Sequence, residues 1–410
     1  MRSFSGLTGY NISTMKPKIA LIIERADTSL GGAERSVFEL AGAVSLLDYD
    51  VNILAAKGQT QTKNIHILCD NRPGKRTSLA AFARALKKHL YKNRYDIIHS
   101  TLPFDFADIY QPRGGTYPES IIRNAASYET KFLRCFKKIT AFANLRRAAL
   151  LRAERKIARS QAGPVIVAIS DYVAQQFKSH YDADPQRITV IPNGIKIGAQ
   201  IDVSQADNLR TQILAHFRLK EADNPVLFLF AANNFRLKGL SCLIKALQIA
   251  TVKNKTSPAY LVVAGRGKSA PCIRLAKKLN IDNRIIFLGS IRHIQNVLAI
   301  TNVAVLPTFY DPCSRFILEA LAAQKPVITT RFNGAIDLFT DNRHGKVIND
   351  PRNIIALADA VNHFADPANI RTASDAIIED NLITRISIAR VAMQLKTIYD
   401  EIVEKRRRQS

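Results

Sequence analysis

Long apolar runs are missing from this 410-residue chain: no segment has the roughly 18 consecutive apolar residues that a membrane-spanning helix needs. Cysteine is sparse and unpaired. Cys69, Cys135, Cys242, Cys272 and Cys313 stand singly, with no CxxC pair and no histidine cluster. That excludes a disulfide framework and a structural zinc centre, and it points to a reducing, cytoplasmic compartment. Cys313 has no histidine near it in sequence and reads as a packing or loop residue. GxGxxG and a Walker A lysine are absent, so NAD and P-loop ATP chemistry are unsupported. The first 14 residues, MRSFSGLTGYNIST, lack an apolar core and do not read as a secretory signal; they read as a tail or as an upstream start before Met15. Acidic residues are also scarce, with 34 Asp and Glu against 59 Lys and Arg and a formal net charge of +25. Such an imbalance implies a polyanionic neighbour: nucleic acid, an acidic membrane surface or a phosphorylated glycolipid.

What the chain does have is alternation. The β-type runs KIALII (Lys18–Ile23), VNILAA (Val51–Ala56), YDIIHS (Tyr95–Ser100), PVIVAIS (Pro164–Ser170) and ITVIPNGI (Ile188–Ile195) alternate with helical stretches. After that Pro-Asn-Gly turn the plan repeats with PVLFLFAA (Pro225–Ala232), YLVVAG (Tyr260–Gly265), IIFLGS (Ile285–Ser290), VAVLP (Val303–Pro307) and KPVITT (Lys325–Thr330). Continuous apolar strands alternating with helices mark parallel sheets covered on both faces. The expected fold is α/β, two doubly wound Rossmann-like domains over 15–194 and 195–385. No low-complexity linker separates them, so they are expected to face a cleft, and a last helix over 386–410 is expected to cross back to the first.

The charge is uneven. Lys131 to Arg159 holds ten Lys or Arg and one acid, Glu154, with apolar residues from Phe132 to Ala153 recurring mostly at three- and four-residue steps. This reads as one basic amphipathic helix, or two with a break, suited to an anionic membrane surface. The same pattern fits a core-facing helix with a solvated basic back.

Asp311 stands eight residues before Glu319, in the loop between VAVLP and a short helix that leads to KPVITT. By themselves two such carboxylates suit metal ligation, acid/base work or acceptance of hydrogen bonds from sugar hydroxyls. Gly31-Gly32 opens the first helix, where free N–H groups suit a phosphate. Arg236 and Lys238 occupy the equivalent loop of the second half, and Gly265 a further glycine loop.

Together these features resemble family 4 retaining glycosyltransferases of the GT-B fold. The resemblance rests on Asp311-x7-Glu319 followed by Ala320-Leu321-Ala322-Ala323 and Lys325-Pro326-Val327-Ile328, with Gly31-Gly32-Ala33-Glu34-Arg35 and the Arg236/Lys238 loop in the same order, over about residues 16–400. Within the family the chain looks most like the lipopolysaccharide core glucosyltransferase I group, through its Gly-Gly loop, the LPFDFADIYQPRGG segment (Leu102–Gly115) and the basic region after it. The resemblance implies a nucleoside diphosphate sugar donor, expected to be UDP-glucose, and a lipopolysaccharide core or other glycolipid acceptor at the inner membrane surface. It implies that Gly31, Gly32 and Gly265 border the donor, that Arg236 and Lys238 hold and neutralise its diphosphate, and that the backbone of Ser314, Arg315 and Phe316 meets the phosphate. It further implies that Glu319 accepts from the ribose, that Asp311 contacts the transferred sugar and that Asp108 faces the reacting sugar, with no metal. Two departures are evident. Asp311 replaces the usual Glu, and the second position of a His-x-His motif falls on Thr101, leaving only His99.

Rival readings are a nucleotide-sugar epimerase of the same fold and a non-catalytic protein binding anionic membranes or nucleic acid. Against nucleic acid, the aromatics of the basic stretch are expected on its apolar face and not interleaved and exposed as in a single-strand binder, and no recognition motif is present.

Overall fold

The computed structural model describes residues 16–27, 31–58, 62–69, 77–140, 144–253 and 258–409. The N-terminal stretch read above as a tail lies outside them.

The first domain is built on a seven-stranded sheet in the order β3-β2-β1-β4-β5-β6-β7. Its strands are β1 (Lys18–Ala26), β2 (Asp50–Gly58), β3 (Ile65–Ile67), β4 (Ile97–Ser100), β5 (Ile109–Tyr110), β6 (Val165–Ala168) and β7 (Ile188–Val190). The second has six strands in the order β10-β9-β8-β11-β12-β13: β8 (Val226–Ala231), β9 (Ala259–Ala264), β10 (Ile285–Gly289), β11 (Val303–Leu306), β12 (Val327–Thr330) and β13 (Gly345–Ile348). All pairings between these strands are parallel. The central strands are apolar on both faces because both faces are covered; Val226 to Phe230 are buried without a gap. In each sheet the order reverses beside the first strand, between β1 and β4 and between β8 and β11. Ligands of open parallel sheets bind at the carboxyl ends of such strands.

The helices of the first domain are α1 (Gly32–Ser45), α2 (Leu79–Lys92), α3 (Tyr117–Ala126), α4 (Lys131–Thr140), α5 (Leu145–Arg159) and α6 (Asp171–Tyr181). The second domain adds α7 (Val203–Phe217), α8 (Leu240–Lys253), α9 (Ala270–Lys278), α10 (Ile294–Ile300) and α11 (Arg315–Ala322), followed by further helices. Side-chain caps set several starts. Ser78 accepts from Ala81 N–H and Ser170 from Val173 N–H, each at 3.1 Å.

The last helix, Ile388–Gln409, lies on the first domain. Val391, Leu395 and Tyr399 share one buried cluster with Val37, Leu40 and Val44 of α1. Its return begins beside the outward crossing: Ile195 N–H donates to Ile386 O at 2.9 Å, and Ile388 N–H to Ile195 O at 2.8 Å. Another apolar cluster runs from the second sheet into Tyr110, Ile166, Val173 and Phe177 of the first domain, so the two domains share packing at their junction.

The basic stretch forms two helices of different character. α5 buries Leu150, Glu154, Ile157 and Ala158, whereas α4 buries no residue and leaves Phe132, Phe136 and Ile139 exposed. Glu154 is fully buried and accepts from Tyr110 Oη (2.7 Å), Tyr181 Oη (2.6 Å) and Tyr117 N–H (2.8 Å). Burial raises its carboxyl to about 7 against the pull of those donors.

Candidate active site

Between the domains, at the carboxyl ends of β1, β8 and β9, lies a pocket of about 800 Å³. That falls within the roughly 300–1,000 Å³ of small-molecule sites. Gly31, Gly32 and Arg35 line it from the first domain, and Gly265, Arg266, Arg292, Arg315, Phe316 and Glu319 from the second. Four arginines and one carboxylate make it an anion-seeking pocket with one hydrogen-bond acceptor set among cations.

The glycines have steric causes. A Cβ on Gly32 would stand 3.0 Å from Arg315 Cδ, across the domain boundary. Gly265 has φ +123°, and a Cβ there would come within 1.8 Å of Ala232 O. Both positions let backbone line the pocket where a side chain would fill it.

Arg315, the first residue of α11, organises the acidic side. It donates to Glu39 of α1 through Nη1 (2.8 Å) and Nη2 (3.1 Å), and through Nη2 to Glu319 Oε1 at 3.2 Å. Glu39 also accepts from Arg35 (3.0 Å) and from Lys196 N–H (3.2 Å). The side chains of Glu39, Arg315 and Glu319 are only 10–12% exposed. Burial pushes the Glu39 carboxyl up, but Arg315, Lys196 N–H and Arg35 outweigh it and leave it below its ordinary value. Glu319 goes the other way: burial raises it, and its arginine neighbours only partly offset the rise. The N–H of Ser314 is taken by Asn333 Oδ1 at 3.1 Å. This leaves the first-turn N–H groups of Arg315 and Phe316, which have no partner inside the helix, to meet a phosphate.

The two cations expected to act together part company. Lys238 Nζ is bound to Asp311 Oδ2 (2.7 Å) and Tyr310 O (2.8 Å), so Asp311 and Lys238 form an ion pair with side chains 15% and 19% exposed. Arg236 turns to the first domain. Its guanidinium sits 3.8 Å over the Tyr128 ring and donates to Ser127 Oγ, Asn124 O and Asn124 Oδ1 at the end of α3. Neither side chain lines the pocket. In this arrangement Arg35, Arg266, Arg292 and Arg315 are the cations that line the pocket, while Arg236 and Lys238 are held by the partners just named.

Asp108 also requires correction. It immediately precedes β5, at the amino end of the strand and away from the cleft. There it accepts from Ile98 N–H (2.7 Å) and pairs with Arg406 of the last helix (2.6 Å). It is a tie between sheet and helix and does not face a substrate. His99 is buried in β4, with Nδ1 2.7 Å from Tyr399 Oη. Burial, with the nearby Arg113 charge, holds its imidazole down to about 3.

Arg113, in the turn after β5, is a residue that sequence reasoning did not single out. It donates through Nη1 to Ser36 Oγ (2.9 Å) and Asn193 Oδ1 (2.8 Å). Its Nε and Nη2, the Gln111 amide and His99 Nε2 are closed off from solvent without a partner among the described residues. Arg113 thus ties the turn after β5 to Ser36 of α1 and to Asn193. Its signal was the Pro-Arg-Gly-Gly turn within Leu102–Gly115. Among the described residues, no three His, Cys, Asp or Glu side chains gather as a metal site. Nor is any described helix long and apolar enough to cross a membrane.

Two parallel-sheet Rossmann-like domains closed on a glycine-looped, arginine-rich cleft define a GT-B glycosyltransferase. Comparison with known proteins agrees. Residues 30–198 match the description Glycosyltransferase Family 4, and residues 212–374 match Glycosyl transferases group 1. The chain belongs to the family 4 glycosyltransferases. Among curated proteins it is 26% identical over 186 residues to the lipopolysaccharide glucosyltransferase WaaG of Escherichia coli K12, covering 45% of this chain and 49% of that protein. The chain spans about half the length of the curated relatives it matches. The crystal structure of a WaaG superposes with a TM-score of 0.72 at 19% identity, over 93% of this chain and 99% of that one. Anabaena HepE in complex with UDP-glucose superposes with a TM-score of 0.65 at 15% identity, over 94% and 99%. At these identities the structural likeness speaks for the fold alone.

Proposed function

We propose that the chain is a retaining hexosyltransferase. In this reading it moves glucose from UDP-glucose to a lipopolysaccharide core or other glycolipid acceptor, on the cytoplasmic side of the inner membrane. The observation that carries the reading is the interdomain pocket with four arginines, one buried glutamate and a helix start. The donor diphosphate lies along Gly31, Gly32 and Gly265 against the first turn of α11, where Arg315 and Phe316 offer N–H groups. Glu319 accepts from the ribose hydroxyls. Asp311, held by Lys238, accepts from hydroxyls of the sugar.

The acceptor hydroxyl oxygen attacks the anomeric carbon on the face from which the diphosphate leaves; the bond from that carbon to the diphosphate oxygen breaks, and the hydroxyl proton passes to the departing oxygen. Negative charge grows on the departing oxygen, and the arginines that line the pocket stabilise it where it grows. The exposed apolar residues of α4, with Lys137 and Lys138, rest on an anionic membrane surface.

The test is a panel of UDP-, GDP-, ADP- and CDP-sugars read by thermal shift, then by nucleotide release with a lipopolysaccharide core acceptor. UDP-glucose is expected to raise the midpoint, the acceptor to drive UDP release, and Glu319→Ala to abolish it. Unchanged release in Glu319→Ala sinks the assignment. Free sugar formed from donor without acceptor points to the epimerase reading instead.

A further inference from the structure

A second pocket, of about 570 Å³, opens on the first domain among α3, α4, α5 and α6, apart from the donor cleft. Its floor is apolar and buried, with Ile121 and Tyr181, and Leu151 forms a wall. Its exposed lining residues include the cations Lys138, Arg152 and Arg155, and among the described residues no carboxylate lines it. Beside it α4 leaves Phe132 77% and Ile139 67% exposed. An apolar slot with cations on its exposed side complements a molecule with a hydrocarbon part and an anionic head. An ordinary peptide supplies no fixed anion at the end of an apolar body, and a second copy of this +25 chain brings like charge to the three cations.

We propose that this pocket takes up one acyl chain of an anionic phospholipid, whose phosphate rests on Lys138, Arg152 and Arg155. The proposal deepens the membrane reading above and rests on it. The surface of α4 brings the enzyme to the bilayer, and the pocket then draws a single lipid out of the plane and fixes the orientation of the first domain. It differs from general adsorption in stoichiometry, one lipid per chain, and in placing hydrocarbon against α5 rather than only against α4.

The chain contains no tryptophan, so a single introduced indole reports its own site. Leu151→Trp places the reporter in the pocket and Phe136→Trp on the exposed face of α4. Vesicles of phosphatidylglycerol brominated on the acyl chain are added to each. Both reporters are expected to be quenched, and native mass spectrometry in detergent to show one phosphatidylglycerol, but no phosphatidylcholine, per chain. Arg152→Ala combined with Arg155→Ala is expected to weaken that single-lipid binding roughly thirtyfold.

Quenching at 136 without quenching at 151 overturns the pocket and leaves the membrane reading intact. Quenching at neither site overturns both. Equal uptake of phosphatidylcholine, or a lipid adduct that survives the double arginine variant unchanged, also overturns the proposal. Ala148→Trp, one turn earlier on the same helix and also lining the pocket, repeats the measurement should Leu151→Trp fail to fold.

Discussion

Glu39→Gln is the most exposing single change, because Glu39 does not line the donor pocket and reaches it through Arg315 and Arg35. The wild-type carboxylate accepts two charge-assisted bonds from Arg315 (2.8 and 3.1 Å), with one each from Arg35 and Lys196 N–H. Removing one partner of a buried pair typically costs about 3–5 kcal/mol. Here Arg315 keeps Glu319 at 3.2 Å, and the introduced amide retains one carbonyl acceptor. The expected loss is therefore smaller, about 2–3 kcal/mol, or roughly 4–12 °C in thermal midpoint for domains of this size. Arg315→Gln leaves both Glu39 and Glu319 without that cation and should cost more. The double variant should be no worse than Arg315→Gln alone, giving about 2 kcal/mol of coupling. The Glu39→Gln change also frees Arg315 to turn within the pocket, so UDP affinity measured by titration calorimetry should fall about tenfold, although Glu39 touches no ligand. Strict additivity of the two losses, or UDP affinity unchanged in Glu39→Gln, refutes the clamp.

Two further outcomes are expected. Asp108→Asn should lower the thermal midpoint by a few degrees at most, since Arg406 is 43% exposed and such pairs contribute about 1 kcal/mol or less; a fall in turnover with no change in UDP affinity or stability would return Asp108 to the reaction. Glu154 holds its proton to about pH 7 when folded and loses it near 4.5 when unfolded, so stability should fall by about 3 kcal/mol as pH rises between those values, and thermal midpoints of Glu154→Gln should lack that slope.

The parts of the molecule that could be read from the sequence are those whose burial is continuous. Val226–Phe230 and Val303–Leu306 are covered on both faces, so every residue is apolar and the strand announces itself. Strand β5 is only two residues long and carries no such pattern. With β5 unseen, nothing indicated that Asp108 precedes a strand and so lies at its amino end, and the residue was expected in the cleft. The contacts of Arg236 were not legible for a different reason. Its partners, Asn124, Ser127 and Tyr128, lie more than a hundred positions away at the end of α3. Glycines 31, 32 and 265 were legible because a residue without a side chain is itself the signal. The Glu39–Arg315 clamp was not, since it joins α1 to α11 across 276 positions and neither residue departs from an ordinary helical surface.

The return of the last helix sets a schedule for folding. Val391, Leu395 and Tyr399 complete the cluster that covers α1, so that part of the first domain's interior stays open until the last helix has been synthesised. The second domain, whose sheet runs from Val226 to Ile348, can close before that point. During synthesis, then, the first domain is finished after the second, and its bare α1 surface is the stretch most in need of shielding until the last helix arrives.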